Sequence, residues 1–294
     1  MALVKMGSKT EYKMRMRLFN YIKMCIGLAL SLALILFLLC AFVFFRIQTI
    51  QVKGLPDDFC NGTHTFANSC YYADDEIVRM CGAQVGDSLV LISKKEIKST
   101  VENLLPYIGN ATVKRKYPST LRIIIEDTHA KYALDAGGGF TLMNEDFKVL
   151  AVSDYIPEGC AKLIGAHVNS ARPGSQAVFS DESCKTRLST IETYCEDNGL
   201  LPISKVDISN IANVSFTVDK QFTFVLGMLT DLDEKFTLAV SSMKQEKEKH
   251  PDVRKIINLT DTDRAYVSED KSPVDEGYSQ LDESLYGDDI VAVG

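Results

Sequence analysis

A chain of 294 residues has room for about two domains of ordinary size, and its 32 Lys and Arg against 39 Asp and Glu leave a net charge of −7. That balance argues against a basic nucleic-acid binder. Apolar residues make up 46% of the chain, but a large share of them sits in one run near the start.

From Met24 to Phe45 there are 22 residues without a charge. As a helix they would extend about 33 Å, which matches a hydrocarbon core of about 30 Å, so the run is read as a transmembrane helix. A cleaved signal peptide has a shorter apolar stretch ending in small residues, whereas this one ends Phe42-Val43-Phe44-Phe45-Arg46. Lys5, Lys9, Lys13, Arg15, Arg17 and Lys23 precede it with one acid, Glu11, while only Arg46 and Lys53 are basic in the twenty residues that follow. The positive-inside bias then puts residues 1–23 in the cytoplasm and the rest of the chain outside.

The outer part opens with Ile47 to Val52, partly alternating and followed by Gly54 and Pro56, as expected of a strand and turn. A polar insertion carrying Cys60 and Cys70 comes next. Asp74 and Asp75 favour the start of a short helix through Glu76 to Cys81 that stops by Gly82. Ser93-Lys94-Lys95-Glu96 matches a capping box ahead of Ile97, Val101, Leu104 and Leu105 at helical spacing, with Pro106 closing that helix. Two strands are expected over Asn110 to Tyr117 and Leu121 to Glu126, joined by a tight turn at Pro118-Ser119-Thr120. The order is strand, helix, helix, strand, strand.

Beyond Gly137-Gly138-Gly139, strands dominate, beginning with a hairpin pattern in Phe140 to Met143 and Phe147 to Val152. A helix is expected over Ser180 to Asn198, with Cys184, Leu188, Ile191 and Cys195 on one stripe and Gly199 as its stop. Another is expected over Asp231 to Lys247, with Leu232, Phe236, Val240 and Met243 on one face. Strand candidates lie at Val206 to Ile208, Asn213 to Val218, Gln221 to Leu226, Lys255 to Leu259 and Arg264 to Val267. The overall class is α+β. The last thirty residues hold eight acids and one base, Lys271, which argues for a solvated, disordered tail over 269–294.

Six cysteines fall outside the span, an even number that suits an oxidising compartment. Cys184 and Cys195 would stand about 16 Å apart along one helix, too far to bridge. Cys160 is therefore expected to bridge one of them and Cys60 to close on Cys70, with Cys81 left open. The cysteines and the four scattered histidines form no zinc pattern, so neither a metal nor a cofactor is expected. No nucleophile elbow, Walker loop or paired-carboxylate set is recognisable, and no catalytic residue or small-molecule substrate is assigned. Asn61, Asn110, Asn213 and Asn258 each begin a glycosylation pattern, which keeps a type II membrane glycoprotein, or a general extracytoplasmic binding module, as the alternative reading.

The ordered series of basic N-terminus, single span, strand-helix-helix-strand-strand unit and strand-rich unit resembles the bacterial cell-division family FtsQ/DivIB. Phe45 to Gly54 is similar to the family's first strand. Lys114-Arg115-Lys116-Tyr117-Pro118-Ser119-Thr120-Leu121 through Glu126 resembles its hairpin, Phe140 to Val149 its second-domain opening, and Val206 to Ser209, Phe224 to Gly227 and Lys235-Phe236 its later strands and helix. The insertion from Leu55 to Tyr72 and the outer cysteines depart from the family pattern.

The resemblance implies a polypeptide-transport-associated (POTRA) domain over 46–130, a β domain over 131–268, and no enzymatic activity. It also implies a place in the cell membrane at the division septum, upstream of septal peptidoglycan synthesis, with FtsB/DivIC-like and FtsL-like bitopic proteins as partners. The contact stretch it implies is Thr260, Asp261, Thr262, Asp263, Arg264, Ala265, Tyr266 and Val267. Within it, Arg264 is a candidate for a partner carboxylate and Tyr266 for a pocket anchor. The physical basis would be strand addition to an open sheet edge.

Overall fold

The computed structural model describes residues 5–54 and 68–272. Cys60, Asn61, most of the insertion and the acidic tail from residue 273 lie outside the described residues.

The first helix, α1 (Lys5–Phe44), is continuous. It starts well before Met24 because the basic stretch is rich in Lys, Met and Arg, good helix formers, and holds no proline. Its segment Phe19–Phe37 is long and apolar enough to cross a membrane, and the side chains there are exposed. An apolar helix with no buried face suits a lipid environment.

The chain then forms β1 (Thr49–Gly54), α2 (Asp74–Met80), α3 (Lys94–Leu104), β2 (Ile108–Lys116) and β3 (Thr120–Asp127), the order read from the sequence. Ser93 caps α3, its Oγ accepting the Glu96 backbone N–H at 3.3 Å. β2 and β3 form an antiparallel hairpin and β1 lies parallel to β3, giving the sheet order β1-β3-β2. A parallel pair needs a crossover, which α2 and α3 supply. Ile77, Ile97 and Val101 from the helices meet Leu121, Ile123 and Ile125 from β3 in one buried cluster.

The remaining strands are β4 (Tyr132–Asp135), β5 (Phe140–Met143), β6 (Val149–Ser153), β7 (Ala161–Ile164), β8 (Val168–Ser170), β9 (Val178–Phe179), β10 (Ile203–Asp207), β11 (Val214–Val218), β12 (Phe222–Gly227), β13 (Lys255–Asn258) and β14 (Tyr266–Glu269). Helix α4 (Ser183–Asp197) precedes β10 and helix α5 (Leu232–Lys249) follows β12. All the strands except β8 and β9, which form a small separate ribbon, build one nine-stranded sheet in the order β14-β13-β12-β11-β10-β7-β4-β5-β6. Leu188 and Ile191 of α4 and Phe236 of α5 are buried in its main core. The Phe216 ring stacks 5.0 Å from Phe224 and 5.5 Å from Phe236.

The expected bridge from Cys160 to Cys184 or Cys195 is not formed, since all three are buried free thiols. Cys160 packs with Ala133, Leu142 and Ile156 in a cluster separate from the core that holds Cys184 and Cys195, and its Sγ donates to the Ala130 carbonyl at 3.1 Å. Cys81 is also free, while Cys70 is disulfide-bonded.

Direct contacts join the two sheets' surroundings. Lys148, buried, donates from Nζ to the Ile108 carbonyl at 2.7 Å, and Asn144 Nδ2 donates to Thr128 Oγ1 at 3.1 Å. Gly174, at φ +86°, lies so close to α3 that a Cβ there would stand 1.9 Å from the Asn103 carbonyl oxygen.

Candidate functional site

The nine-stranded sheet ends in β14 on one side and β6 on the other. The Val149 N–H and C=O of β6 are already bonded to Ser175 and Gly174. β14 pairs antiparallel with β13 (Asn258 opposite Tyr266, Ile256 opposite Ser268), and among the described residues no strand pairs with its other side.

The hydrogen-bond pattern shows which groups face that open side. The Asp270 N–H donates to the Arg254 carbonyl at 2.9 Å, while the Lys255 N–H turns the other way to Gln221 on the β12 side. Antiparallel ladders alternate, so Tyr266, Ser268 and Asp270 address β13, and the backbone groups of Val267 and Glu269 point away from the sheet. All four strand residues are exposed, with Tyr266 at 57%.

The strand expected at Arg264 to Val267 starts two residues later, at Tyr266. Local bonds compete with the ladder before that point. The Thr260 N–H donates to Asn258 Oδ1 at 2.9 Å and the Asp263 N–H to Asp261 Oδ1 at 3.0 Å, so residues 258–263 turn instead of extending. Arg264 therefore sits in the connection, exposed, and not on the strand. At the other end the strand takes in Glu269, the first residue of the expected tail. Arg254 also holds the following residues, with Nη1 3.7 Å from the Asp270 carboxylate and a further bond from Nη2 to the Ser272 carbonyl.

Beside this edge, Thr260, Asp261 and Thr262 line a shallow depression of about 600 Å³ together with Gly227, Asp231 and Lys235. Gly227 lies at φ +68° and a Cβ there would meet Thr260 Cγ2 at 3.0 Å, so a bulkier residue would push the connection outward. Lys235 is 3% exposed, and its Nζ donates to the Leu226 carbonyl at 2.9 Å and the Met228 carbonyl at 2.8 Å. This ammonium ties the end of β12 to the first turn of α5. Sequence reasoning gave Lys235 no role, although a lysine between Leu232, Phe236 and Ala239 on a buried helical face was the available signal.

The edge thus combines outward backbone donors and acceptors, an exposed tyrosine and a polar depression whose floor is pinned by a buried lysine. That equipment suits binding an extended segment. Among the described residues no group of three or more His, Cys, Asp or Glu is placed to hold a metal. Two glycosylation-pattern asparagines are engaged within the fold. Asn110 accepts from Lys98 and donates to Glu126, and Asn258 accepts from Thr260.

The model for the FtsQ-type POTRA domain matches residues 68–127, the stretch from the end of the insertion through α2, α3, β2 and β3. The cell division protein DivIB of Clostridium acetobutylicum is 22% identical over 174 residues, which cover 59% of this chain and 69% of that protein. With the helix-crossed three-stranded sheet, the mixed nine-stranded sheet and one membrane-length helix in the expected order, the chain contains an FtsQ-type POTRA domain and is similar to the cell division protein DivIB.

Proposed function

We propose that the chain is a bitopic scaffold with no chemistry of its own. In this reading α1 anchors it with residues 1–23 in the cytoplasm, and the domains over 46–130 and 131–268 stand outside at the division septum. It binds FtsB/DivIC-like and FtsL-like partners there and so supports septal peptidoglycan synthesis. The separate sheets support the domain limits, and the FtsQ-type POTRA match with the similarity to DivIB supports the division role.

The observation that carries the partner site is the open outer edge of β14, where Val267 and Glu269 present their backbone groups. A partner strand would take up those groups, Tyr266 would cover an apolar side chain of the partner, and Thr260 to Asp263 would flank its end. The test is Tyr266→Lys in the full chain, followed by pull-down with the extracytoplasmic segments of the two partner types. Tyr266 is largely exposed, so the variant keeps its fold, and we expect binding to fall about tenfold or more, the loss of a central aromatic anchor. Undiminished binding by a folded variant would remove this edge from the interface.

A further inference from the structure

The membrane-proximal end of the three-stranded sheet carries a second exposed surface. Helix α1 ends at Phe44, and the next three residues reach at most about 11 Å even when fully extended. Over that distance the chain is bonded to the loop between α2 and α3. The Leu89 N–H donates to the Phe45 carbonyl, the Ile47 N–H to the Asp87 carbonyl and the Gly86 N–H to the Ile47 carbonyl, each at 2.8 Å. The turn between β2 and β3 is tied to the same point, with the Gln48 N–H donating to the Ser119 carbonyl at 2.8 Å and the Phe45 and Tyr117 rings in edge contact at 5.4 Å. Whatever plane Phe45 occupies, this loop and this turn lie beside it.

Both present apolar side chains to the outside. Leu91 is 72% exposed and Val85 69%, with Val90 and Tyr117 also exposed. Scattered single apolar residues need no explanation, but here they gather at the end of the domain where an apolar helix emerges. Exposed Lys94 and Lys95 at the start of α3 and Lys114 and Lys116 at the end of β2 surround them. The nearby acids are Asp87, whose carboxylate accepts the Gln84 N–H at 2.8 Å, and Glu96. Exposed aliphatics and an aromatic ringed by lysines are the composition of an interfacial membrane contact.

We propose that the loop Gln84–Ile92 and the turn Lys116–Ser119 rest in the headgroup layer of the bilayer that holds α1. Val85, Leu91 and Tyr117 reach toward the acyl boundary and the lysines meet anionic lipid phosphates. The proposal rests on α1 being a membrane span. Its consequence is that the first domain is seated on the lipid surface and does not swing freely on its tether.

The chain contains no tryptophan, so single Trp substitutions report without background. The full chain is reconstituted in phosphatidylcholine vesicles with and without phosphatidylglycerol, using lipids brominated on the acyl chains as quenchers. Leu91→Trp should show blue-shifted emission and lose most of its signal to the brominated lipid. Leu30→Trp within α1 should be quenched and Val152→Trp on β6 should not. Quenching at Leu30→Trp but none at Leu91→Trp would overturn the seating and leave the anchor standing. No quenching at Leu30→Trp would remove the anchor and the seating together. A Leu91→Trp signal shielded from aqueous iodide yet untouched by brominated lipid would assign the surface to a protein neighbour and overturn the lipid contact. Adding Lys94→Glu and Lys95→Glu should relieve the quenching in phosphatidylglycerol vesicles, and unchanged quenching would count against the headgroup contact.

Discussion

Lys235 shows how one side chain shapes the edge without lying on it. Its two short bonds to the carbonyls of Leu226 and Met228 satisfy backbone groups where β12 gives way to α5. Lys235→Met keeps most of the volume and leaves both carbonyls without the ammonium, so we expect a loss of about 1–3 kcal/mol in chemical unfolding of the full chain in detergent. An unchanged unfolding midpoint would show that the carbonyls find other donors. The buried thiols allow a second check at the same scale. Burial raises Cys160 to about 11, and burial with the nearby Glu192 and Glu196 raises Cys195 to about 12. At pH 8 roughly one Cys160 in a thousand is then thiolate. Alkylation of the native protein at pH 8 should spare both and denaturation should expose them; rapid native labelling of Cys195 would contradict its burial. A raised thiol pKa favours the folded state by keeping the proton, so this contribution is full below the ordinary thiol value of 9.0 and is lost as the pH rises from there toward 11 to 12.

Among the elements, β14 makes the sharpest prediction because its two sides are distinguishable. Proline at 267 or 269 deletes an N–H that points away from β13, whereas proline at 268 deletes one that points into the ladder. Val267→Pro and Glu269→Pro should leave thermal stability nearly unchanged and abolish partner capture, while Ser268→Pro should weaken the strand itself, by about 1 kcal/mol for the lost bond. Equal capture by the Val267→Pro and Glu269→Pro variants would mean that the partner does not add as a strand. The same strand shows what the sequence made legible. The capped start of α3, the β2–β3 hairpin, the buried stripe of α4 and the face of α5 all rest on neighbours a few residues away, and each was expected within a few residues of its place. β4 and β7 were not singled out. Each is four residues long and sits inside the sheet in parallel pairing; β4 is buried over three consecutive residues, and β7 alternates in burial but over too few residues for a period to stand out in the sequence. The sequence expectation of a strand from Arg264 starts two residues before β14, because the bonds from the Asn258 and Asp261 side chains that hold the turn appear only in three dimensions. The Cys160 pairing failed for the same reason, since spacing excluded Cys184 with Cys195 but could not reveal that Cys160 packs in another cluster.

For the whole molecule, if a partner binds at β14 as proposed, its placement relative to the membrane would depend on the junction between the two sheets. Lys148 reaches across to the Ile108 carbonyl, Asn144 reaches Thr128, and Gly174 lets the loop after β8 lie directly on the Asn103 carbonyl at the end of α3. The ammonium of Lys148 is desolvated enough that its pKa is lowered, with Glu102 nearby acting in the opposite direction. Gly174 is the position where a side chain cannot be accommodated: a Cβ 1.9 Å from a backbone oxygen forces the surfaces apart, and its positive φ disfavours any substitution. Gly174→Val should therefore raise amide hydrogen exchange in Asn103 to Ile108 and around Lys148, while exchange in β12 and β13 stays at the native level. Partner capture in solution should persist, because β14 lies at the opposite end of the sheet from β6, but the variant should fail to support division if the angle between the membrane and the binding edge matters. Full complementation by a variant whose junction is shown by exchange to be open would mean that the two domains need only be tethered, and that the contacts through Lys148, Asn144 and Gly174 serve stability alone.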